Sequence, residues 1–168
     1  MTAAVSRPLR IAVIGGSIAG DEERAWATDV GRALARCGAV VVCGGRGGVM
    51  EAAARGASEA GGVTIGLLPG DAAEDANPWI SLPLPTGLGE ARNVLVVSAA
   101  ESVVAVGGAW GTLSEIAFAR RRGLQVAMLG TPPAEGLGLT TFDQGREAAE
   151  WAVAAARTHR GIPEEAIP

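Results

Sequence analysis

The sequence contains no lysine and no tyrosine, and its only histidine is His159. A Schiff base needs a lysine amine, so pyridoxal phosphate chemistry on the protein and imine chemistry with a carbonyl substrate are excluded. A Walker-A loop is excluded for the same reason, because it needs a lysine. With one histidine, in the C-terminal segment, a Ser-His-Asp or Cys-His mechanism has little to build on.

Cysteine, clustered positive charge and long apolar runs are also scarce. Cys37 and Cys43 lack metal-type spacing, and we expect both to be reduced core residues. The net charge is −4, and the basic residues are scattered except at positions 120–122, which argues against a nucleic-acid surface. No apolar run is long enough to span a bilayer, and the N-terminus lacks signal-peptide architecture. We therefore expect a cytoplasmic protein that binds neither nucleic acid nor a membrane.

What the chain has in quantity is apolar residues and glycine. At 168 residues and 48% hydrophobic composition, it is long enough for one domain with a substantial core. No shift in composition suggests a second domain, so residues 1–168 are predicted to form a single unit. We expect residues 1–8 and 161–168 to be flexible. The 25 glycines cluster after apolar runs, where backbones turn sharply or approach a ligand.

Short apolar runs alternate with amphipathic stretches along the whole chain. "LRIAVIG" is typical of a buried strand, and "DEERAWATDVGRALARCG" after it has helical spacing and a terminal glycine. The same unit recurs, with a helix expected over residues 88–99 and a loop over "TPPAEGLGLTTFDQG". Such alternation predicts an α/β fold: one Rossmann-like three-layer domain with a mainly parallel sheet and helices on both faces.

Ligands of such sheets bind beyond the carboxyl ends of the strands, and we expect the site to be built from four glycine-rich turns of this chain, at Gly15, Gly44, Pro69 and Gly107. The first turn lacks the G-x-G-x-x-G spacing of a nicotinamide site but suits an anion; the second places Arg46 between two glycine pairs before a helix near Val49. Tight strand-to-helix packing is the alternative for both turns. The candidate phosphate-binding residues of these turns are Gly15, Gly16, Ser17, Gly44, Gly45, Arg46, Gly47 and Gly48.

A third candidate turn is "VGGAWGTLSE", with Gly108, Gly111 and Thr112 as phosphate-binding candidates. Thr112 is placed to cap the following helix, and Glu115 lies at the capping-box position three residues later. Glu115 is therefore either a helix cap or a catalytic carboxylate. Arg92, in an otherwise apolar helix, is either a phosphate ligand or a solvated surface residue.

The stretches "CGGRGGVMEAAARGASEAGGVTIGLLPG", "EARN" and "VGGAWGTLSEIAFA" resemble a known Rossmann-like superfamily. It contains the LOG phosphoribohydrolases, often misnamed lysine decarboxylases, and the molybdenum-cofactor carrier proteins. "GGRGGVMEAA" and "ARN" are nearer the carrier branch. In LOG enzymes a catalytic Arg and the Glu of a P-G-G-x-G-T-x-x-E signature act together; by resemblance these are Arg92 and Glu115. Such enzymes hydrolyse the N-glycosidic bond of a cytokinin nucleoside 5'-monophosphate.

Three positions of the third turn matter to this resemblance. Gly107 replaces the signature proline, and Ala109 replaces a glycine, where a Cβ blocks phosphate approach or strains a backbone that needs positive φ. Trp110 either stacks on a base or pterin or covers the next helix.

Three functions follow as hypotheses. The first is a carrier-like protein that binds a phosphorylated nucleotide-like ligand, with the molybdenum cofactor or a nucleoside monophosphate as the bound molecule. The second is a LOG-type phosphoribohydrolase, so whether the chain is an enzyme stays open. The third is a module whose pocket has lapsed. No required cofactor and no metal site is expected, and the resemblance implies a homo-oligomer, either a dimer or a tetramer.

Overall fold

The computed structural model describes residues 7–163 as alternating strands and helices. Residues 1–6 and 164–168, which fall in the termini expected to be flexible, lie outside the described residues. The strands are β1 (Arg10–Gly15), β2 (Val40–Cys43), β3 (Thr64–Leu68), β4 (Leu82–Pro85), β5 (Ser102–Val106), β6 (Val126–Leu129) and β7 (Thr140–Phe142). The α-helices are α1 (Asp21–Arg36), α2 (Val49–Glu59), α3 (Asn93–Ser98), α4 (Trp110–Arg121) and α5 (Gly145–His159), with short 3-10 helices at Ala73–Asp75 and Gly89–Arg92.

The strands form one sheet in the order β4-β3-β2-β1-β5-β6-β7, and every neighbouring pair is parallel. After β1 the chain builds outward through β2, β3 and β4, and then returns to place β5 on the other side of β1. The sheet order therefore reverses between β1 and β5, and crevices at such a point are the usual ligand sites of open α/β sheets. The predicted fold class is confirmed.

Alternate residues of the central strands face two separate cores. Ile11 and Val13 pack with α1, α2 and α5 on one face, while Ala12 and Ile14 pack with α3 and α4 on the other. This period of two, with both faces apolar, explains why the strands appear in the sequence as continuous hydrophobic runs. Helix α5 packs on its own domain, because Ala148 and Ala152 lie in the first of these cores.

Several local predictions are wrong. The helix expected over residues 88–99 is a 3-10 turn followed by α3, because Gly89 has a φ of 57°, outside the helical region. Part of the loop predicted after residue 130 forms β7, a short edge strand whose exposed side chains give no alternating apolar pattern. Cys43 is buried as expected, but Cys37 ends α1 and is exposed.

Within the described part of the chain, no helix is both long and apolar enough to cross a membrane.

Candidate functional site

A cavity of about 300 Å³ opens at the carboxyl ends of β1, β2 and β5. Its size is at the lower end of the range for small-molecule sites. The four glycine-rich turns predicted from the sequence all contribute to its wall, the one at Pro69 through Pro69 itself. The predicted site residues that line it are Gly15, Gly16, Ser17, Gly44, Arg46, Arg92, Gly111, Thr112 and Glu115.

Four predicted glycines do not line the cavity and serve packing instead. A Cβ on Gly45 would stand 2.7 Å from the Leu68 side chain, and one on Gly48 would stand 2.2 Å from the Gly16 carbonyl oxygen. Gly47 lies against the backbone of the first turn, and Gly108 lies against the Thr112 side chain. The first amide of α2, that of Val49, donates to the Gly16 carbonyl oxygen and is not available to a ligand. The second turn therefore supports the first turn.

Arg92 is the buried cation of the cavity. It ends the 3-10 turn before α3 and is only 6% exposed, so it is not a solvated surface residue. Its guanidinium lies over the Gly44 turn, where a Cβ on Gly44 would stand 2.6 Å from Nη2. Its Nη1 donates to Asn93 Oδ1. Its Nε is buried without a hydrogen-bond partner among the described residues.

An unpartnered N–H on a buried guanidinium is energetically costly, since a buried donor left unsatisfied loses its hydration without compensation. Nη2 also donates to no residue between positions 7 and 163, but unlike Nε it is not sealed from solvent. The arrangement therefore suits a bound anion that accepts from Nη2. Arg92 also forms no salt bridge with Glu115, as the ion pairs within residues 7–163 involve other groups.

Glu115 lies on the cavity side of α4 and is 6% exposed. Burial raises the pKa of its carboxyl to about 8; the Arg92 guanidinium opposes this shift, and Glu90 adds to it. The carboxyl accepts no hydrogen bond from any residue between positions 7 and 163. At neutral pH it is mainly protonated, and it then adds no negative charge to the cavity.

The helix-cap explanation of Glu115 is wrong, and so is the predicted cap at Thr112. Helix α4 begins at Trp110 with Ala109 as its N-cap, so Thr112 is the third helical residue. The sequence pattern failed because Gly108, with a φ of 118°, turns the chain earlier than the capping-box spacing implies. The first amides of α4 have no hydrogen-bond partner within the helix. Gly111 and Thr112, which carry two of these amides, line the cavity.

The conformations of three positions in the third turn, Gly107, Ala109 and Trp110, bear on the resemblance. Gly107 has a φ of 53°, which a proline fixed near −65° cannot adopt, so this turn differs in shape from one that begins with proline. Ala109 has a φ of −131°, so its Cβ causes no backbone strain, although the residue does line the cavity. Trp110 is 85% exposed and does not cover the next helix.

Sequence reasoning missed some residues of the wall, notably Met50 and Glu90. Met50 follows the second glycine turn directly. Glu90 and Arg46 are exposed near the opening and place one charge of each sign there. Among residues 7–163, no group of three or more histidine, cysteine, aspartate or glutamate side chains is arranged to bind a metal ion.

Comparisons with known proteins agree with the fold. The model of the SLOG cluster4 family matches residues 8–158. An uncharacterised protein of Archaeoglobus fulgidus is 37% identical over 145 residues, 86% of this chain and 95% of the relative. The molybdenum cofactor binding protein of Rippkaea orientalis has a similar structure, with a TM-score of 0.82 and 30% identity over 88% of this chain and 97% of that one. The molybdenum cofactor carrier protein of Chlamydomonas reinhardtii has a TM-score of 0.79 and 32% identity, over 90% and 99% of the two chains.

Proposed function

Because the chain belongs to the SLOG cluster4 family, and because its cavity holds a buried guanidinium with a free N–H, we propose that it binds a phosphorylated, nucleotide-like ligand there. The ligand's phosphate occupies the cavity, and the protein acts as a carrier like its molybdenum-cofactor-binding structural relatives.

The observation that carries this proposal is the buried guanidinium of Arg92 in the cavity wall, whose Nη2 donates to no residue between positions 7 and 163 and is not sealed from solvent. A phosphate oxygen is a strong acceptor for guanidinium N–H groups, and such charge-assisted hydrogen bonds are about twice as strong as neutral ones. The free amides at the start of α4 add further donors on the same side. With Glu115 protonated, these donors give the cavity wall a net preference for an anion.

The molybdenum cofactor, a phosphorylated pterin, is the molecule that we propose the protein carries. Its phosphate fits a cavity of about 300 Å³, while a ring system needs space beyond the opening. Trp110 and Ile18 are 85% and 90% exposed beside turns that line the cavity. They offer apolar surface next to the opening, which suits the less polar part of such a ligand.

The test is thermal unfolding of the purified chain with AMP and with inorganic phosphate, followed by cofactor analysis after expression in a host that makes the molybdenum cofactor. A ligand present at 100 times its dissociation constant adds about 2.7 kcal/mol to stability, so binding raises the melting temperature measurably. Arg92→Gln is expected to abolish the rise. Arg120→Gln, on the exposed end of α4, is the matched control and keeps it.

If neither AMP, phosphate nor copurified cofactor stabilises the wild-type chain, the carrier proposal is wrong.

A LOG-type phosphoribohydrolase is the second candidate, and one observation favours it. Glu115 does not cap α4, so the ordinary explanation of a carboxyl at this position does not apply. In such a reaction, the ionised form of Glu115, which becomes the main form only above its pKa of about 8, stabilises an oxocarbenium-like ribose or activates water, while Arg92 holds the phosphate. Release of free base from AMP or isopentenyladenine ribotide, lost in Glu115→Ala, would support hydrolysis. Equal base release by the two proteins would exclude it.

A further inference from the structure

We propose that Asn93 is a second ligand-binding residue of the cavity: its side-chain amide donates to the phosphate while its carbonyl oxygen positions the Arg92 guanidinium. This inference rests on the proposed phosphate binding and names the chemistry of recognition more closely. The group recognised is a phosphomonoester or free phosphate.

The hydrogen bond from Arg92 fixes which way the Asn93 amide points. A guanidinium has only donors, so the atom that meets Arg92 Nη1 must be the carbonyl oxygen Oδ1. The Nδ2 amino group must then point away from Arg92. The orientation of this amide therefore follows from the chemistry of its hydrogen-bond partner.

Asn93 is a buried polar residue, 6% exposed, and it lines the cavity. Its Nδ2 lies 4.0 Å from the position of a Cβ on Gly111, a neighbouring residue of the cavity wall in the first turn of α4. Nδ2 donates to no residue between positions 7 and 163, yet it is not among the atoms sealed from solvent. The amino group therefore has unused donors at the cavity surface.

Arg92 Nη2, Asn93 Nδ2 and the first amides of α4 thus border one small space. The first two come from neighbouring residues, and a single hydrogen bond between those residues couples their orientations. Neighbouring donors of this kind recognise an acceptor with several oxygens, such as a phosphate group, better than a single carbonyl oxygen. No donor of Asn93 is needed to hold the fold, since α3 makes its core contacts through Val96 and Val97.

The decisive experiment measures binding of AMP and adenosine to the full chain by calorimetry, for wild type, Asn93→Ala and Asn93→Asp. Asn93→Ala removes both the donor and the acceptor. Asn93→Asp keeps an acceptor for Arg92 but replaces the donor with a negative charge. We expect both variants to bind AMP at least about tenfold more weakly than wild type, with Asn93→Asp the weaker of the two.

Adenosine affinity and the ligand-free melting temperature of Asn93→Asp are expected to stay close to wild type, because neither depends on a donor to phosphate. A purely structural role would instead lower the melting temperature and affect both ligands alike.

The outcomes distinguish a failure of the Asn93 role from a failure of the proposed phosphate binding. If wild type binds AMP and both variants bind it equally well, the role of Asn93 is overturned while the proposed function stands. Full AMP affinity in Asn93→Asp alone overturns the donor role. If wild type binds neither AMP nor inorganic phosphate, the proposed function fails, and the inference fails with it.

Discussion

The conformation of Arg92 depends on the absence of a side chain at Gly44. The guanidinium lies where a Cβ on that residue would stand, and the sulfur of Met50 closes the same space from another side at 2.7 Å. The glycine is therefore required for space, since its φ is not positive.

Gly44→Ala is expected to displace the guanidinium and to weaken AMP binding by about tenfold or more, the effect of losing a charge-assisted hydrogen bond. The melting temperature should change little, because the atoms that must move belong to the flexible end of a side chain. Calorimetry and thermal unfolding measure the two effects. Gly20→Ser, where an added Cβ meets nothing within 4 Å, is the control. Unchanged AMP affinity in Gly44→Ala would argue against Arg92 as the phosphate ligand.

Glu115 makes stability fall as pH rises. Its folded-state pKa of about 8 lies above its ordinary value of 4.5, so between these values the unfolded chain releases a proton that the folded chain retains. This difference destabilises the folded state progressively from about pH 4.5 to pH 8 and is constant above.

Glu115→Gln removes this loss of stability with rising pH, because glutamine has no carboxyl to titrate. We expect its melting temperature to match wild type near pH 4.5 and to exceed it increasingly toward pH 8, as measured by thermal unfolding across this range. Glu135→Gln, in an exposed loop, should follow the wild-type curve throughout. Parallel curves for wild type and Glu115→Gln would show that the carboxyl is ionised at neutral pH.

At the residue scale the sequence predicted which side chains lie at the cavity but not what each one does there. Arg92 and Glu115 both line the cavity, as the resemblance and, for Glu115, the position after a glycine turn indicated. The pattern could not show that α4 begins at Trp110, since that depends on the backbone of Gly108. The concern about strain at Ala109 was unfounded for the same reason: the turn places positive φ on the two glycines before it.

At the scale of the elements, one carboxylate joins three of them. Glu101, at the start of β5, accepts from the Arg10 amide at 2.6 Å and from Arg160, just beyond α5, at 2.9 Å. The Arg10 side chain adds a further bond of 2.6 Å. Burial alone would raise the pKa of Glu101, but the hydrogen bonds from Arg10 and Arg160 outweigh it and hold the pKa below its ordinary value.

Glu101→Gln is expected to lower the free energy of unfolding by about 2 kcal/mol at pH 7, measured by urea denaturation. Because the folded pKa is depressed, this contribution is present above about pH 4.5 and is lost as pH falls through the folded pKa. The difference between the two proteins should therefore shrink in acid. Glu59→Gln breaks only exposed ion pairs and should lower the free energy of unfolding much less. Equal losses for both variants would contradict the bracing role of Glu101.

The regular elements were predictable because their apolar spacing is strong. Strands β1, β2 and β5 are continuous buried runs, and α1 has an amphipathic pattern ended by a glycine. Strand β7 was missed because its pairing with β6 is a tertiary contact that three mostly exposed residues do not encode. The 3-10 turn carrying Arg92 was taken for a helix because a left-handed glycine gives no periodic signal.

At the scale of the whole molecule, parallel strands explain why distant turns meet. Residues 15–17, 44–46 and 109–112 are far apart in sequence, but all follow the carboxyl ends of neighbouring strands. This convergence was predicted from the alternation of strands and helices. The shape of the cavity was not, since it depends on turn conformations and on the side chains of Met50 and Glu90.

We also expect the chain to form a homodimer or homotetramer. Leu82, Leu84 and Leu88 are about half exposed, and Trp110 is 85% exposed. Exposed apolar side chains of this size are typical of surfaces that pack against another chain. Light scattering after size-exclusion chromatography should give two or four times the chain mass of 16.8 kDa. A mass of one chain at micromolar concentration would contradict this expectation.

The central claim is that the cavity at the reversal of sheet order holds a phosphate on Arg92. A crystal structure of the chain with AMP tests it most directly. We predict a phosphate oxygen within about 3 Å of Arg92 Nη2, beside the first amides of α4 and the Gly44 turn. An AMP molecule bound with its phosphate away from the Arg92 guanidinium would contradict the claim.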